Sequence, residues 1–221
     1  MDFIVFCDFD GTITTTDLID ILVLNKYDQQ IISEYDNKIM NNEIDHDDVL
    51  KKLFDNISIS FNDAINIINE KTNKKVIDEY FMDFYYYCQD NNIKIYIISG
   101  GFKKIINYFL PHVDSKFIFA NDIDIDTNNK WNINFISSNG LDKVKFINKL
   151  SNSFQKKIYI GDGISDIKVI DAIDYLYVKD NSFLYYYCKN NNIKMKSFSN
   201  FKTIINDITN FYDIHLPNQY K

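Results

Sequence analysis

The chain begins with an unbroken apolar run, Phe3-Ile-Val-Phe-Cys7, which reads as a buried strand. The run stops abruptly at Asp8-Phe-Asp10-Gly11-Thr12. From about residue 17 to 88 the apolar period becomes helical. Leu18, Ile19, Ile21, Leu22 and Leu24 follow a helix cap at Thr16 or Asp17. Further helical sets are Ile31, Ile32 and Tyr35, then Val49, Leu50, Leu53 and Phe54, then Ala64, Ile65, Ile67 and Ile68 behind Ser60 or Asn62. An aromatic-rich helix covers 80–88 and ends at Asn91-Asn92. A strand at 93–98 then runs into Ser99-Gly100-Gly101, and a helix from Phe102 is stopped by Pro111.

The rest alternates. A short strand at 117–119, a hairpin across 123–135, a helix at 142–150 and a strand at 157–160 lead to Gly161-Asp162-Gly163. A helix through Val169 and Ile170, a strand at 175–178, a helix at 183–188 and a strand from Ile193 complete the pattern. Strands alternating with helices predict an α/β fold, a Rossmann-like parallel sheet with helices on both faces. The helical stretch is a small insertion between the first and second strands. The expected division is a core of residues 1–15 and 89–221 and a helical cap of residues 16–88. Tyr85-Tyr-Tyr-Cys88 with Asn91-Asn92-Ile93-Lys94 recurs as Tyr185-Tyr-Tyr-Cys188 with Asn191-Asn192-Ile193-Lys194, one packing solution used twice, with the tyrosines in or near the core.

Composition narrows the function classes. A net charge of −7 and a pI near 4.9 argue against nucleic acid or an anionic membrane surface as partner. The sequence contains no Arg. Cys7, Cys88 and Cys188 have no metal spacing and sit in apolar surroundings, which implies buried thiols in a reducing compartment. With no signal-type start and no membrane-length apolar run, a cytoplasmic protein is expected, its oligomeric state open between monomer and homodimer.

The candidate chemistry lies where strands end. Carboxylates at i and i+2 of an extended chain project to the same side, so Asp8 and Asp10 crowd negative charge at the mouth of a buried strand. A plain acidic turn would also fit Asp10-Gly11 taken alone. Ser99-Gly100, Lys143 and Asp162 with Asp166 lie at comparable strand ends or helix starts, and ligands of open parallel sheets bind there. Four carboxylates, one ammonium, one hydroxyl and glycine-exposed amides fit a phosphate ester with Mg²⁺. A calcium loop at Asp122, Asp124 and Asp126 is disfavoured, because Thr127 replaces the turn glycine and Ile133 the closing glutamate. His46, His112 and His215 have no ligand spacing and read as structural or surface residues.

Asp8-x-Asp10-Gly-Thr12, Ser99-Gly100-Gly101, Lys143 and Gly161-Asp162-Gly163-x-x-Asp166 together resemble the four motifs of the haloacid dehalogenase superfamily. The helical insertion resembles the cap of its phosphoserine phosphatase-like subgroup. Cys7-Asp-Phe-Asp-Gly-Thr-Ile-Thr14, with Asp17 after it, looks closest to the methionine-salvage phosphatases acting on 2-hydroxy-3-keto-5-methylthiopentenyl 1-phosphate. The resemblance implies Asp8 as nucleophile and Asp10 as general acid and base. It implies Mg²⁺ on Asp8, the Asp10 main-chain carbonyl and Asp162, with Asp166 behind them. Ser99, Gly100 and Lys143, preferred over Lys145, would bind the phosphoryl group. Asp17 would help select a small-molecule substrate. Phosphoserine is disfavoured without an Arg for its carboxylate; phosphocholine, thiamine phosphate and pyridoxal phosphate types remain alternatives. A phosphotransferase or mutase would share the same residues, and a non-catalytic binding protein of this fold is the bland alternative.

Overall fold

The computed structural model describes residues 3–41, 43–137, 141–152 and 155–215, the side chains of 211–215 excepted. Seven strands form one sheet: β1 (Phe3–Cys7), β2 (Lys94–Phe102), β3 (Ile118–Ile125), β4 (Trp131–Asn134), β5 (Lys156–Gly161), β6 (Tyr175–Lys179) and β7 (Lys196–Phe198). Their spatial order is β4-β3-β2-β1-β5-β6-β7, parallel throughout except for the β3–β4 hairpin. This is the expected α/β sheet. Every residue of β1 is buried, as a strand covered on both faces requires. Its side chains alternate between two cores, Val5 and Cys7 into the larger, Ile4 and Phe6 into the smaller. The chain fills the sheet on one side of β1, then crosses to β5 on the other, so direction reverses at β1 and opens a crevice there.

The insertion contains α1 (Leu18–Leu24), α2 (Gln29–Met40), α3 (His46–Phe54) and α4 (Phe61–Lys71). Asp17 caps α1 by accepting the Asp20 N–H at 2.9 Å, and Ser60 caps α4 through the Asp63 N–H at 3.1 Å. The β3–β4 hairpin holds this layer to the sheet. Phe54 packs 4.9 Å from Phe102 and 5.4 Å from Trp131, centroid to centroid. The Trp131 indole N–H donates to the Ile59 carbonyl at 2.8 Å, and the Ser58 hydroxyl to the Asn128 carbonyl at 2.8 Å.

The remaining helices are α5 (Phe81–Asp90), α6 (Lys103–Phe109), α7 (Lys143–Leu150), α8 (Phe183–Asn190) and α9 (Phe201–His215). Helix α5 packs on β2 and α9, with Phe81 and Phe84 at 5.1 and 5.3 Å from Phe201. The two echoed segments end alike. Asn91 and Asn191 donate to Tyr87 and Tyr187 carbonyls at 2.8 and 2.9 Å. Asn92 and Asn192 turn the chain at φ of 55° and 54°, a conformation asparagine tolerates.

Some elements differ from expectation. The segment around Val169 and Ile170 is 3₁₀ (Ile164–Ala172) rather than α, because the Asp166 carboxylate takes the Asp162 and Gly163 amides and tightens the first turn. The strand expected from Ile193 begins at Lys196, since Ile193 still bonds the Cys188 carbonyl. The short strand at 117–119 and the first hairpin arm merge into β3, after a 3₁₀ turn at Ser115–Phe117. Asp126 Oδ1 accepts the Asn128 and Lys130 amides, a turn rather than an ion loop. The three cysteines are free and buried, and no described helix is long and apolar enough to cross a membrane.

Candidate active site

The site is built from the carboxyl ends of β1, β2 and β5 and the start of α7. The Asp8 N–H donates to the Ile160 carbonyl at 2.9 Å, which ties the end of β1 to β5. Asp8 Oδ1 accepts the Phe9 N–H at 2.8 Å, and Oδ2 lies 3.0 Å from Lys143 Nζ. Lys143 opens α7 behind the Asp142 cap and also reaches Asp166 Oδ1 at 2.6 Å. The Tyr159 hydroxyl donates to that same oxygen at 2.6 Å. Asp166 Oδ2 accepts the Asp162 and Gly163 amides at 2.9 and 3.0 Å. Asp166 is fully buried and Lys143 nearly so, a state charged groups hold only when paired and hydrogen-bonded. Lys145 is exposed.

Asp10 faces the β2 side. Its Oδ2 accepts the Ser99 hydroxyl and its Oδ1 the Leu18 amide, both at 3.3 Å. The Gly101 amide donates back to Ser99 Oγ at 2.9 Å. Asp162 accepts the Thr12 hydroxyl at 2.5 Å. Gly11 stands at φ 72°, and a Cβ there would strike the Asp162 carboxylate, so only glycine lets the two loops meet.

Burial dominates the electrostatics. It pushes Asp8 up to about 7 against the pull of Lys143. Asp10 rises well above the usual carboxylate range through burial, then Asp17 and Asp8; Asp162 does so through burial, then Asp8 and Asp166. Burial works against the Lys143 charge, but Asp166 and Asp8 outweigh it and hold the ammonium more tightly than usual. Carboxylate oxygens of Asp8, Asp162 and Asp166 lie within 4.8 Å of one another, a grouping able to hold a metal ion. Asp166 already accepts four hydrogen bonds, so it is better placed to brace the Asp162 loop and Lys143 than to coordinate.

A cavity of about 520 Å³ opens above these groups. Asp8, Asp10, Ser99, Gly100, Lys143 and Asp162 line its floor, so the residues picked out in the sequence converge on one space. The insertion supplies the opposite wall, which carries the carboxyl groups of Asp17, Asp20, Asp36, Asp45 and Asp47 and the imidazole of His46. Burial and then Asp17 and Asp36 raise Asp20 to about 7; burial also raises Asp17.

Several contributors were not assigned from sequence. His46, expected to be structural or on the surface, lines the cavity with its ring against Gly100. The strand-and-helix pattern could not show this, because it depends on how α3 docks. His112 is exposed, and the His215 side chain lies outside the described residues. Tyr187 of the echoed cluster packs against the smaller core, as expected, and also lines the cavity beside Phe183. Asn121 fixes the Gly100 peptide, donating to its carbonyl at 3.0 Å and accepting the Ile136 amide at 3.1 Å. Only a polar residue inside the apolar β3 run hinted at Asn121.

Comparison with known proteins gives a consistent picture. Residues 4–174 match the family described as haloacid dehalogenase-like hydrolase. A 2-hydroxy-3-keto-5-methylthiopentenyl-1-phosphate phosphatase of Bacillus cereus is 30% identical, over 96% of this chain and 98% of that one. The polyol phosphate phosphatase PYP1 of Saccharomyces cerevisiae is 26% identical, over 91% and 90%. Among solved structures, a phosphoserine phosphohydrolase-like protein from Francisella tularensis superposes with a TM-score of 0.68 at 19% identity, covering 98% of this chain and all of the other.

Proposed function

Because the chain belongs to the haloacid dehalogenase-like hydrolase family, we propose that it is a Mg²⁺-dependent phosphomonoesterase acting on a small metabolite. The observation that carries the reading is the buried chain Asp8–Lys143–Asp166, facing Asp10 and Ser99 across one cavity. An Asp8 carboxylate oxygen attacks phosphorus, and the bond from phosphorus to the ester oxygen breaks. Asp10 gives its proton to the departing alkoxide; its raised affinity for that proton suits it to the task. Water then attacks the aspartyl phosphate, Asp10 takes the proton, and phosphate leaves Asp8. Ser99, the Gly100 amide and Lys143 hold the phosphoryl oxygens.

The donor set fits a hard divalent cation, since mutually repelling buried carboxylates lack the positive charge that one ammonium cannot supply alone. Asp8, Asp162 and the Asp10 main-chain carbonyl would hold it. Bound Mg²⁺ supplies charge that offsets the phosphoryl oxygens and the two carboxylates. Residues 16–88 act as a cap that keeps bulk water from the cavity.

The cap wall shapes substrate choice. Five carboxylates and no Arg disfavour esters that carry a carboxylate, and favour substrates whose hydroxyl groups can donate to that wall. Relatives named for methylthiopentenyl and polyol phosphates agree with that preference. The test is phosphate release with Mg²⁺ from polyol, keto-alkyl, aminoalkyl and phosphoserine esters, beside Asp8→Asn. The variant should lose activity by on the order of 10³-fold or more. Equal turnover by Asp8→Asn would overturn the mechanism, and a preference for phosphoserine would overturn the substrate class.

A further inference from the structure

We propose that His46 is the residue through which the helical insertion reaches the substrate's phosphoryl group, its Nε2–H donating to an oxygen held at Gly100. The inference rests on the phosphatase reading above and adds a group to it. A Cβ at Gly100 would stand 2.9 Å from His46 Cε1 and 3.5 and 3.6 Å from Nδ1 and Nε2. The imidazole thus occupies space that only glycine leaves open, directly over a peptide that Asn121 holds in place. Nδ1 is turned to Asp47, 3.8 Å from its Oδ1, and Nε2 has no hydrogen-bond partner among the described residues. The ring is 47% exposed while lining the cavity, so its free edge is available to a ligand.

Charge gives this placement a purpose. A phosphate monoester is a dianion near neutral pH, and Lys143 is shared between Asp8 and Asp166. The chain has no Arg to assist. Among the cavity-lining groups of the insertion, His46 is the one able to carry positive charge; the other ionisable groups that carry charge near neutral pH are carboxylates. Lys168 also lines the cavity but is exposed and comes from the core side. A donor from the insertion over Gly100 links seating of the cap to the presence of phosphate, which a core-only site would not do.

The test compares His46→Ala, His46→Gln and His46→Asn for inhibition by inorganic phosphate, for KM and kcat on an aryl phosphate, and for thermal midpoint. The alanine variant should weaken phosphate inhibition by about 10- to 100-fold, the loss of a hydrogen bond to a charged group. The rise should fall more on KM than on kcat, with an unchanged melting midpoint. Gln, whose amide nitrogen can reach the position of Nε2, should restore much of the binding, whereas the shorter Asn should not. An unchanged phosphate inhibition constant in His46→Ala overturns the proposal, as does rescue by Asn in place of Gln. A fall in melting midpoint with KM and kcat worsening together would also overturn it. Wild-type protein that releases no phosphate would instead sink the phosphatase reading, so the two failures are told apart.

Discussion

The two walls of the cavity are charged in opposite styles. On the core wall the one buried ammonium is paired within the protein: Asp8 has Lys143, Lys143 has Asp166, and Asp166 has Tyr159 and two amides, while Asp10 and Asp162 are held by hydrogen bonds from Ser99, Leu18 and Thr12. On the insertion wall Asp17, Asp20 and Asp36 crowd one another, and Asp47 Oδ2 is buried with no hydrogen-bond partner among the described residues. A wall whose side chains are held in place by their own pairings is preorganised for chemistry that does not vary. A wall left with unmet acceptors is one that a substrate completes. Under the proposed function, this contrast assigns reaction type to the core and selectivity to the insertion.

The sharpest way to break it is to remove the shared cation. Lys143→Met strands two buried carboxylates and should cost about 3–5 kcal/mol of stability, seen as a large fall in denaturation midpoint, as well as activity. If the variant unfolds like wild type, the core wall is not held by that pairing.

A second measurement uses pH. Asp8 and Asp20 are raised to about 7 in the fold, against about 4 for an unfolded aspartate. Between these values the folded state binds more protons than the unfolded state, so stability falls as pH rises. Metal-free protein should therefore melt lower at pH 8 than at pH 5. Mg²⁺ should recover the part due to Asp8 and leave the part due to Asp20. Metal-free melting that rises over this range would contradict the assigned direction.

The smallest effect tests the insertion wall alone. Asp20→Asn removes a charge disfavoured by burial and by Asp17 and Asp36, and should raise the melting midpoint by about 2–4 °C for a gain near 1 kcal/mol. Turnover of an aryl phosphate, whose ring offers Asp20 no hydrogen-bonding group, should change little, while selectivity among polar esters should shift. A lower midpoint would mean that Asp20 has a partner that stabilises its charge.

The sequence made the core wall readable and the insertion wall hard to read, for a physical reason. Asp8, Asp10, Ser99, Lys143 and Asp162 sit at strand ends or helix starts, and local period places such positions at one edge of a parallel sheet. The boundaries of β1 and of α7 follow from an apolar run and an Asp142 cap in the same way. His46 reaches Gly100 only because Phe54 is wedged between Phe102 and Trp131, contacts that span some fifty to eighty residues and have no local signature. Tyr187 and Asn121 likewise depend on which neighbours tertiary packing supplies. The 3₁₀ turn at Ile164–Ala172 was hidden because Asp166, legible as a site residue, also competes for the amides that start the helix.

The wedge around Trp131 has an optical consequence. It is the only tryptophan in the sequence, it is buried, and its indole N–H is bonded to the insertion's own Ile59 carbonyl. Its emission therefore reads one place alone, the seam where the helical layer meets the hairpin. Any lifting of that layer hydrates the indole and breaks the bond, shifting the fluorescence to the red, and the chain thus carries an unlabelled gauge of its own seating.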